Sequence, residues 1–424
     1  MITETAVRIR PLTGAPPRLL LPDEQYWEDL ADYLPRGGYA RTPEPEQIRE
    51  LVRIANLRGR GGAGFPTAVK LASVAEAEGP RCVVANGEEG EPASIKDRYL
   101  LRRRPHLVLD GLLLAARAVD ADHAYVYVSD DASAASMRVA IAQRRPSVPV
   151  RIVTVPAGYV AGEASAVVRA IDGGPAKPTA KPPHPYQQGV GGMPTLIQNV
   201  ETLAHLALLV SHGAPSHLRY GTTECTGTFL LTLSRPEGPA ILAEVPYGAR
   251  LGDVVTEHLG LGPVQITGVL MGGFAGGILG PEALDLPLTH EDVRQAGGML
   301  GCGAVILLGP EDCQVSAAAD IAAYFDRENA GQCGACIKGT DAMARDLAAL
   351  TSGTAGPDDV ARLERLSANL LRRGSCGLLD AACATAASLV RTNRPLVDAH
   401  LAAPCRRCAD APSPPGETRF RINW

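Results

Sequence analysis

RCVVANGEEGEPASIKDR, residues 81–98, decides how this chain is read. Cys82, Val83, Val84 and Ala85 make a short apolar run, which suits a strand covered on both faces. Directly after it, Glu88, Glu89 and Glu91 crowd one loop, where their repulsion must be offset by cations or by bound hydroxyls. Open α/β sheets take ligands at the carboxyl ends of their strands, and ribose or ribityl hydroxyls suit such a loop. A solvated acidic turn is the alternative reading. Further strands are expected at HAYVYV and VRIVTV, with helical patterns at LVLDGLLLAARAV and SAASMRVAIAQR between them. That alternation predicts an α/β layer fold with parallel strands.

Upstream, TPEPEQIRELVRIANL reads as a helix capped by Thr42 with Pro43 at its first position, and Ile48, Leu51, Val52 and Ala55 share one face. It runs into RGRGGAGFPTAVK, residues 58–70. Gly59, Gly61 and Gly64 fit G-x-G-x-x-G, but a dinucleotide fingerprint requires a preceding strand. The glycines still let backbone N–H groups approach an anion, with Arg58, Arg60 and Lys70 adding charge; a tight loop with solvated arginines is the alternative. Downstream, Glu163 opens a helix in VPAGYVAGEASAVVRAI, a capping feature before it is a site feature. In KPPHPYQQGVGGMPTLIQNVETLAHL, Gln198 or Asn199 caps another helix, behind a glycine-rich loop that suits a phosphate.

The texture then changes. From Gly221, TFLLTL, PAILAEV, LGDVVTEHL and VQITGVLM suggest a β-rich module with one helix, and from residue 311 the pattern is nearly all helical. The expected division is an irregular extension over 1–40, an α/β domain over 41–220, the β-rich domain over 221–310, a helical domain over 311–400 and a flexible tail over 401–424. At 424 residues the chain is long for a single core, and its net charge of -5 gives no basic excess to suggest nucleic acid. No apolar run reaches the roughly 18–20 residues of a membrane helix. MITETAVRIR lacks the apolar segment of a secretory leader, which points to the cytoplasm. Ten cysteines in such a chain are thiols or metal ligands rather than a disulfide framework. Cys333 and Cys336 in GQCGACIKG, followed by Cys376 and Cys383 in RRGSCGLLDAAC, favour a zinc or iron–sulfur site.

In this order, GRGGAGFPT, NGEEGEPASIKDR, YVAGE, AKPP and QNVETL resemble the flavin-bearing, NADH-oxidising subunit of respiratory complex I and the diaphorase subunits of hydrogenases and formate dehydrogenases. The resemblance spans about residues 45–390. It implies a Rossmann-like α/β FMN-binding domain, a ubiquitin-like β-grasp (soluble-ligand-binding) domain and a C-terminal helical iron–sulfur domain. By position, Gly59, Arg60, Gly61, Gly62 and Lys70 fall in the FMN loop. Asn86, Glu88 and Glu89 line the ring and ribityl chain beside Tyr159, Gly162 and Glu163, and Gln198 and Asn199 meet the phosphate end. Phe65, Glu91 and Lys181 fall where the family binds NADH. The implied activity is an NAD(P)H oxidoreductase subunit passing electrons through FMN to a 4Fe–4S cluster or a ferredoxin-like partner. The alternative is an FMN-binding relay or scaffold that no longer oxidises NADH.

Departures from the family pattern carry information. Ala330 stands where the first cluster thiolate belongs, leaving Cys333, Cys336 and Cys376; the open outcomes are a cluster with a non-cysteine or external fourth ligand, one completed by another thiol such as Cys383 or the tail pair Cys405 and Cys408, or no cluster. Ser73 and His184 occupy positions where aromatics sandwich adenine, each lost contact being worth about 0.5–1.5 kcal/mol beyond area. Ala164 replaces a second glutamate near the nicotinamide, and Glu88 replaces an aspartate.

Overall fold

Two sheets and a helical bundle follow one another along the chain, and the first strand belongs to the second sheet. The computed structural model describes residues 5–14, 18–22, 26–410 and 418–424. β1 (Val7–Arg10) runs beside a strand more than two hundred residues away, described below. The strands β2 (Cys82–Asn86), β3 (His123–Val128), β4 (Val150–Thr154) and β5 (Thr195–Asn199) form a parallel sheet in the order β4-β3-β2-β5. β2 lies in the middle of it, and Cys82 through Ala85 are fully buried, which is why that stretch is apolar at every position. Helices Pro105–Ala118 and Val200–His212 pack on one another beside this sheet. Their close approach depends on Gly111, where a Cβ would fall 1.9 Å from the Leu203 carbonyl oxygen.

The β-rich module contains β6 (Thr228–Ser234), β7 (Ala240–Pro246), β8 (Gly268–Met271), β9 (Ile278–Leu279) and β10 (Ala304–Leu308), with helix Leu251–Leu259 after β7. Its sheet order is β1-β7-β6-β10-β8-β9, β1 pairing parallel with β7 from Val7↔Ala240 to Arg10↔Ala243. The helical region comprises Gln314–Glu328, Gly334–Ser352, Pro357–Asn369, Leu378–Thr392, Arg394–Ala402 and Arg406–Asp410. Among the described residues no helix is long and apolar enough to cross a membrane.

Three expectations change. The helix expected to start at Pro43 is Pro45–Ile54, because Gln47 Oε1 accepts the Glu44 N–H at 3.0 Å and sets the start there. The first forty residues are not irregular throughout. Besides β1, Leu19, Leu20 and Leu21 are buried, with the Leu19 N–H on Glu244 and the Leu21 N–H on the Tyr99 hydroxyl. The tail also returns to the molecule: Phe420 and Ile422 are buried, the Ile422 N–H reaches Pro92 O at 3.0 Å, and Trp424 stacks on Tyr99. Residues 411–417 of that tail lie outside the described residues.

One ammonium joins the layers. Lys96, fully buried, sits 2.7 Å from Asp97 Oδ1, 3.0 Å from Glu201 Oε2 and 3.2 Å from Asn199 Oδ1. Asn199 Nδ2 donates to Asp97 Oδ2, and Glu201 Oε1 accepts the Leu230 N–H of β6 at 2.8 Å. The loop after β2, the helix after β5 and the second sheet thus share one cation. Lys96→Met should cost about 3–5 kcal/mol, the price of leaving buried carboxylates without their cation. It is read as a lowered denaturant midpoint, and an unchanged midpoint would contradict the network.

Candidate functional site

The parallel sheet ends on a pair of asparagines. Asn86 closes β2 and Asn199 closes β5, directly opposite each other in register, with Gln198 one step back beside Ala85. The glycine loop lies across this edge. The Gly59 N–H donates to Phe65 O at 2.8 Å and closes the loop. A Cβ on Gly61 would sit 3.3 Å from the Asn199 Cβ, tighter than ordinary contact, and Gly62, facing Gly301, has φ +112°, a conformation that favours glycine. From the following helix, Thr67–Ala75, Lys70 reaches to 3.3 Å from Ile197 O, and burial lowers its pKa.

Polar atoms at this edge are left over. Thr67 Oγ1, Glu88 Oε2 and Gln198 Nε2 are buried and have no hydrogen-bond partner. Each such atom costs about 1–3 kcal/mol, a cost removed by a ligand that offers hydroxyls and carbonyls. Glu88 is the extreme case: Oε1 has only long contacts, 3.4 Å from the Gly158 N–H and 3.5 Å from Ser129 Oγ. Burial first, then the charges of Glu89 and Asp97, push its pKa up to about 8. The opposite wall is Gly158–Gly162. The Gly162 carbonyl accepts from Asn86 Nδ2 at 2.9 Å, and a Cβ there would lie 2.8 Å from Glu88 Oε2.

Several of the expected site residues are occupied by the protein itself. Arg60 is buried and turned toward the second sheet, donating to Thr226 O and Thr228 O and lying 4.7 Å over the Tyr247 ring. Its side chain is therefore a latch between domains, not part of the cradle. Glu89 holds the N-terminus of helix Lys96–Arg103 through the Asp97 and Arg98 N–H groups and pairs with the Arg98 guanidinium. Asn199 caps its helix by accepting the Glu201 N–H and joins the Lys96 network. Glu163 caps Ala164–Ile171 and is ion-paired with Lys181. Glu91 accepts the Ala93 and Phe274 N–H groups, and burial raises its pKa to about 8. Phe65 is 45% exposed at the loop's outer face. Ser73 turns its hydroxyl onto Val69 O, while His184 stacks 5.5 Å from Tyr186, an aromatic beside the AKPP stretch that motif spacing does not mark.

The thiols meet this wall from the other side. The Tyr159 N–H donates to Glu328 Oε2 at 2.9 Å, and its ring meets Phe325 edge-on at 5.0 Å. Just beyond Glu328, Lys177 Nζ donates to Ala330 O at 2.8 Å and Gln332 Nε2 to Pro178 O at 2.7 Å. Cys333, at the start of Gly334–Ser352, lies 3.3 Å from the Ser375 hydroxyl, and it packs with Ala330, Cys336 and Cys376 in one apolar cluster. The three cysteines thus share one apolar cluster with Ala330, but among the described residues their sulfurs are not gathered within 4.8 Å of one another. The tail pair does not supply a fourth thiol, because Cys405 and Cys408 lie instead against Cys313 and His400. Cys383 is buried beside Leu366 O.

Comparison with known proteins agrees with this geometry. Residues 52–208 match the Nuo51 FMN-binding domain and residues 316–400 the NADH-ubiquinone oxidoreductase-F iron-sulfur binding region. The chain is 32% identical over 404 residues to the second F-type NADH-quinone oxidoreductase chain of Rhizobium meliloti, covering 89% of this chain and 95% of that one. It is 30% identical to the mitochondrial NADH dehydrogenase (ubiquinone) flavoprotein 1 of Dictyostelium discoideum, covering 87% of this chain and 83% of that one. Among solved structures, an NAD+-reducing NiFe-hydrogenase in the air-oxidized state aligns with a TM-score of 0.77 at 34% identity, covering 84% of this chain. The chain spans 63% of that hydrogenase chain.

The raised Glu88 pKa sets a pH dependence. The folded chain keeps this proton up to about 8, whereas an unfolded glutamate releases it near 4.5. Its contribution is full below that lower value and is lost as pH rises through about 8. The ligand-free chain should lose stability relative to Glu88→Gln across that window, and parallel denaturation midpoints for the two chains would contradict the assignment.

Proposed function

This chain belongs to the family of the flavin-bearing, NADH-oxidising subunits of NADH-quinone oxidoreductases, and from that premise we propose that it binds FMN and oxidises NAD(P)H, passing the electrons to an iron–sulfur centre. The observation that carries the proposal is the shared wall: Gly158–Gly162 faces the cradle through Gly162 and, through Tyr159, meets the end of helix Gln314–Glu328, a short way ahead of Cys333. Electrons leaving the cradle thus enter the thiol region across one packed layer.

FMN fits the residues at the sheet edge, since the unpartnered Thr67, Glu88 and Gln198 atoms and the side-chain-free Gly61, Gly62 and Gly162 match a polar, flat ligand. When bound, it accepts a hydride from reduced nicotinamide and releases electrons singly. Gln198 Nε2 and Thr67 Oγ1 offer hydrogen bonds to its polar groups, Lys70 brings positive charge, and Glu88 donates a proton to a hydrogen bond while it remains uncharged. Gly59, Gly61 and Gly62 contribute backbone, Asn86 and Glu163 keep the opposite wall in place, and Phe65, Glu91 and Lys181 border the nucleotide approach. In the helical region Cys333, Cys336 and Cys376 would hold the 4Fe–4S cluster, and Ala330 leaves one iron without a protein thiolate.

A relay that no longer takes NADH is the second reading. It is favoured by the prior engagement of Glu91 with Phe274 and of Lys181 with Glu163. We place the protein in the cytoplasm, serving a ferredoxin-like partner; ten cysteines read as thiols or metal ligands fit that reading. Under anaerobic conditions NADH or NADPH should bleach the flavin absorbance, and Glu91→Ala should slow that bleaching about ten-fold, the equivalent of about 1.4 kcal/mol. Bleaching at an unchanged rate would contradict the nucleotide pocket, and no bleaching at all would favour the relay. Iron and acid-labile sulfide should each reach about four per chain; their absence from anaerobically purified protein would remove the cluster.

A further inference from the structure

A metal-ligand set lies apart from Cys333, Cys336 and Cys376. Cys313 Sγ, His400 Nε2, Cys405 Sγ and Cys408 Sγ come from three places in the chain: the start of helix Gln314–Glu328, the end of Arg394–Ala402, and the C-x2-C that carries Arg406–Asp410. All four ligand atoms lie within 4.8 Å of one another. Cys313, His400 and Cys408 are buried at 3%, 1% and 9% exposure, and Cys405 is half-buried.

The spacing distinguishes one ion from a cluster. A tetrahedral zinc with Zn–S of about 2.3 Å and Zn–N of about 2.0–2.1 Å sets its sulfurs roughly 3.8 Å apart and its sulfur–nitrogen edges roughly 3.6 Å. Four of the six observed edges are 3.5 Å for Cys408–Cys313, 3.6 Å for Cys405–Cys408, 3.4 Å for Cys313–His400 and 3.5 Å for Cys408–His400, and the two from Cys405 to Cys313 and His400 lie within 4.8 Å. A cubane spreads its thiolates outward from separate irons and needs wider spacing. A disulfide, with sulfurs about 2.05 Å apart, needs closer approach. The imidazole is also oriented for ligation. His400 Nδ1 lies 2.7 Å from Leu396 O, so the proton sits on Nδ1 and the Nε2 lone pair faces the sulfurs.

We propose that Cys313, His400, Cys405 and Cys408 bind one structural zinc ion, separate from the iron–sulfur centre. The site closes the chain onto itself: it fixes the C-terminal helices to the turn after β10, ahead of the run whose Phe420 packs on Phe274 and whose Ile422 and Trp424 seat against the first domain. A closed set of three thiolates and one imidazole leaves no open coordination position, so the role is structural.

Zinc measured by mass spectrometry in protein from zinc-replete cells should be about one per chain. X-ray absorption at the zinc edge should fit three sulfurs and one nitrogen. Cys405→Ser, at the half-buried ligand, should lower zinc at least ten-fold while the protein still binds FMN, which shows that it folds. Cys333→Ser should reduce iron and leave zinc in place. Wild-type protein without zinc, zinc retained in both Cys405→Ser and Cys408→Ser, or zinc lost in Cys333→Ser would each overturn the proposal.

Discussion

A single buried ammonium sets the geometry of this molecule. Lys96 is fully buried and meets Asp97, Glu201 and the Asn199 side-chain oxygen. A cation in such a place is tolerated only if every neighbour is held in position. Asp97 is held by Asn199, and Glu201 by the Leu230 N–H of the second sheet. The ends of β2 and β5 and the edge of β6 are therefore fixed relative to one another. Arg60 adds a second latch, since the cradle loop reaches into the β-rich module through its guanidinium.

This rigidity explains why the charged residues of the edge divide into two groups. Glu89, Asn199, Glu163 and the Arg60 side chain have their hydrogen-bonding capacity taken up by helix starts, ion pairs and carbonyls. Glu88, Gln198 and Thr67 keep buried atoms without partners. The first group holds the surrounding structure in place, and the second is left to bind. Local destabilisation of this kind persists because the surrounding network holds the residues in place, and a ligand that satisfies them binds against little reorganisation.

The parallel sheet was legible because its strands are short apolar runs between helical patterns, and glycines in GRGGAGFPT marked the cradle loop. β5 was not, since TLIQN reads as part of a helix start until it is seen beside β2. β1 was hidden for a similar reason: only Ile9 is buried in VRIR, too weak an alternation to mark a strand whose partner is far away in sequence. Motif positions identified Glu89 and Asn199 as site residues, but spacing does not reveal which carboxylate or amide is already hydrogen-bonded. The Cys313–His400–Cys405–Cys408 group was legible only in part, as a C-x2-C; its other two members meet it through tertiary packing alone.

Electron transfer through this chain depends on the sheet edge being a flavin mononucleotide cradle. The most direct test is the flavin content of the purified wild-type protein, released by denaturation and identified by chromatography. FMN at about one per chain, present on isolation or regained on incubation with free FMN, is the predicted result. Protein that carries no flavin and takes up none would contradict it.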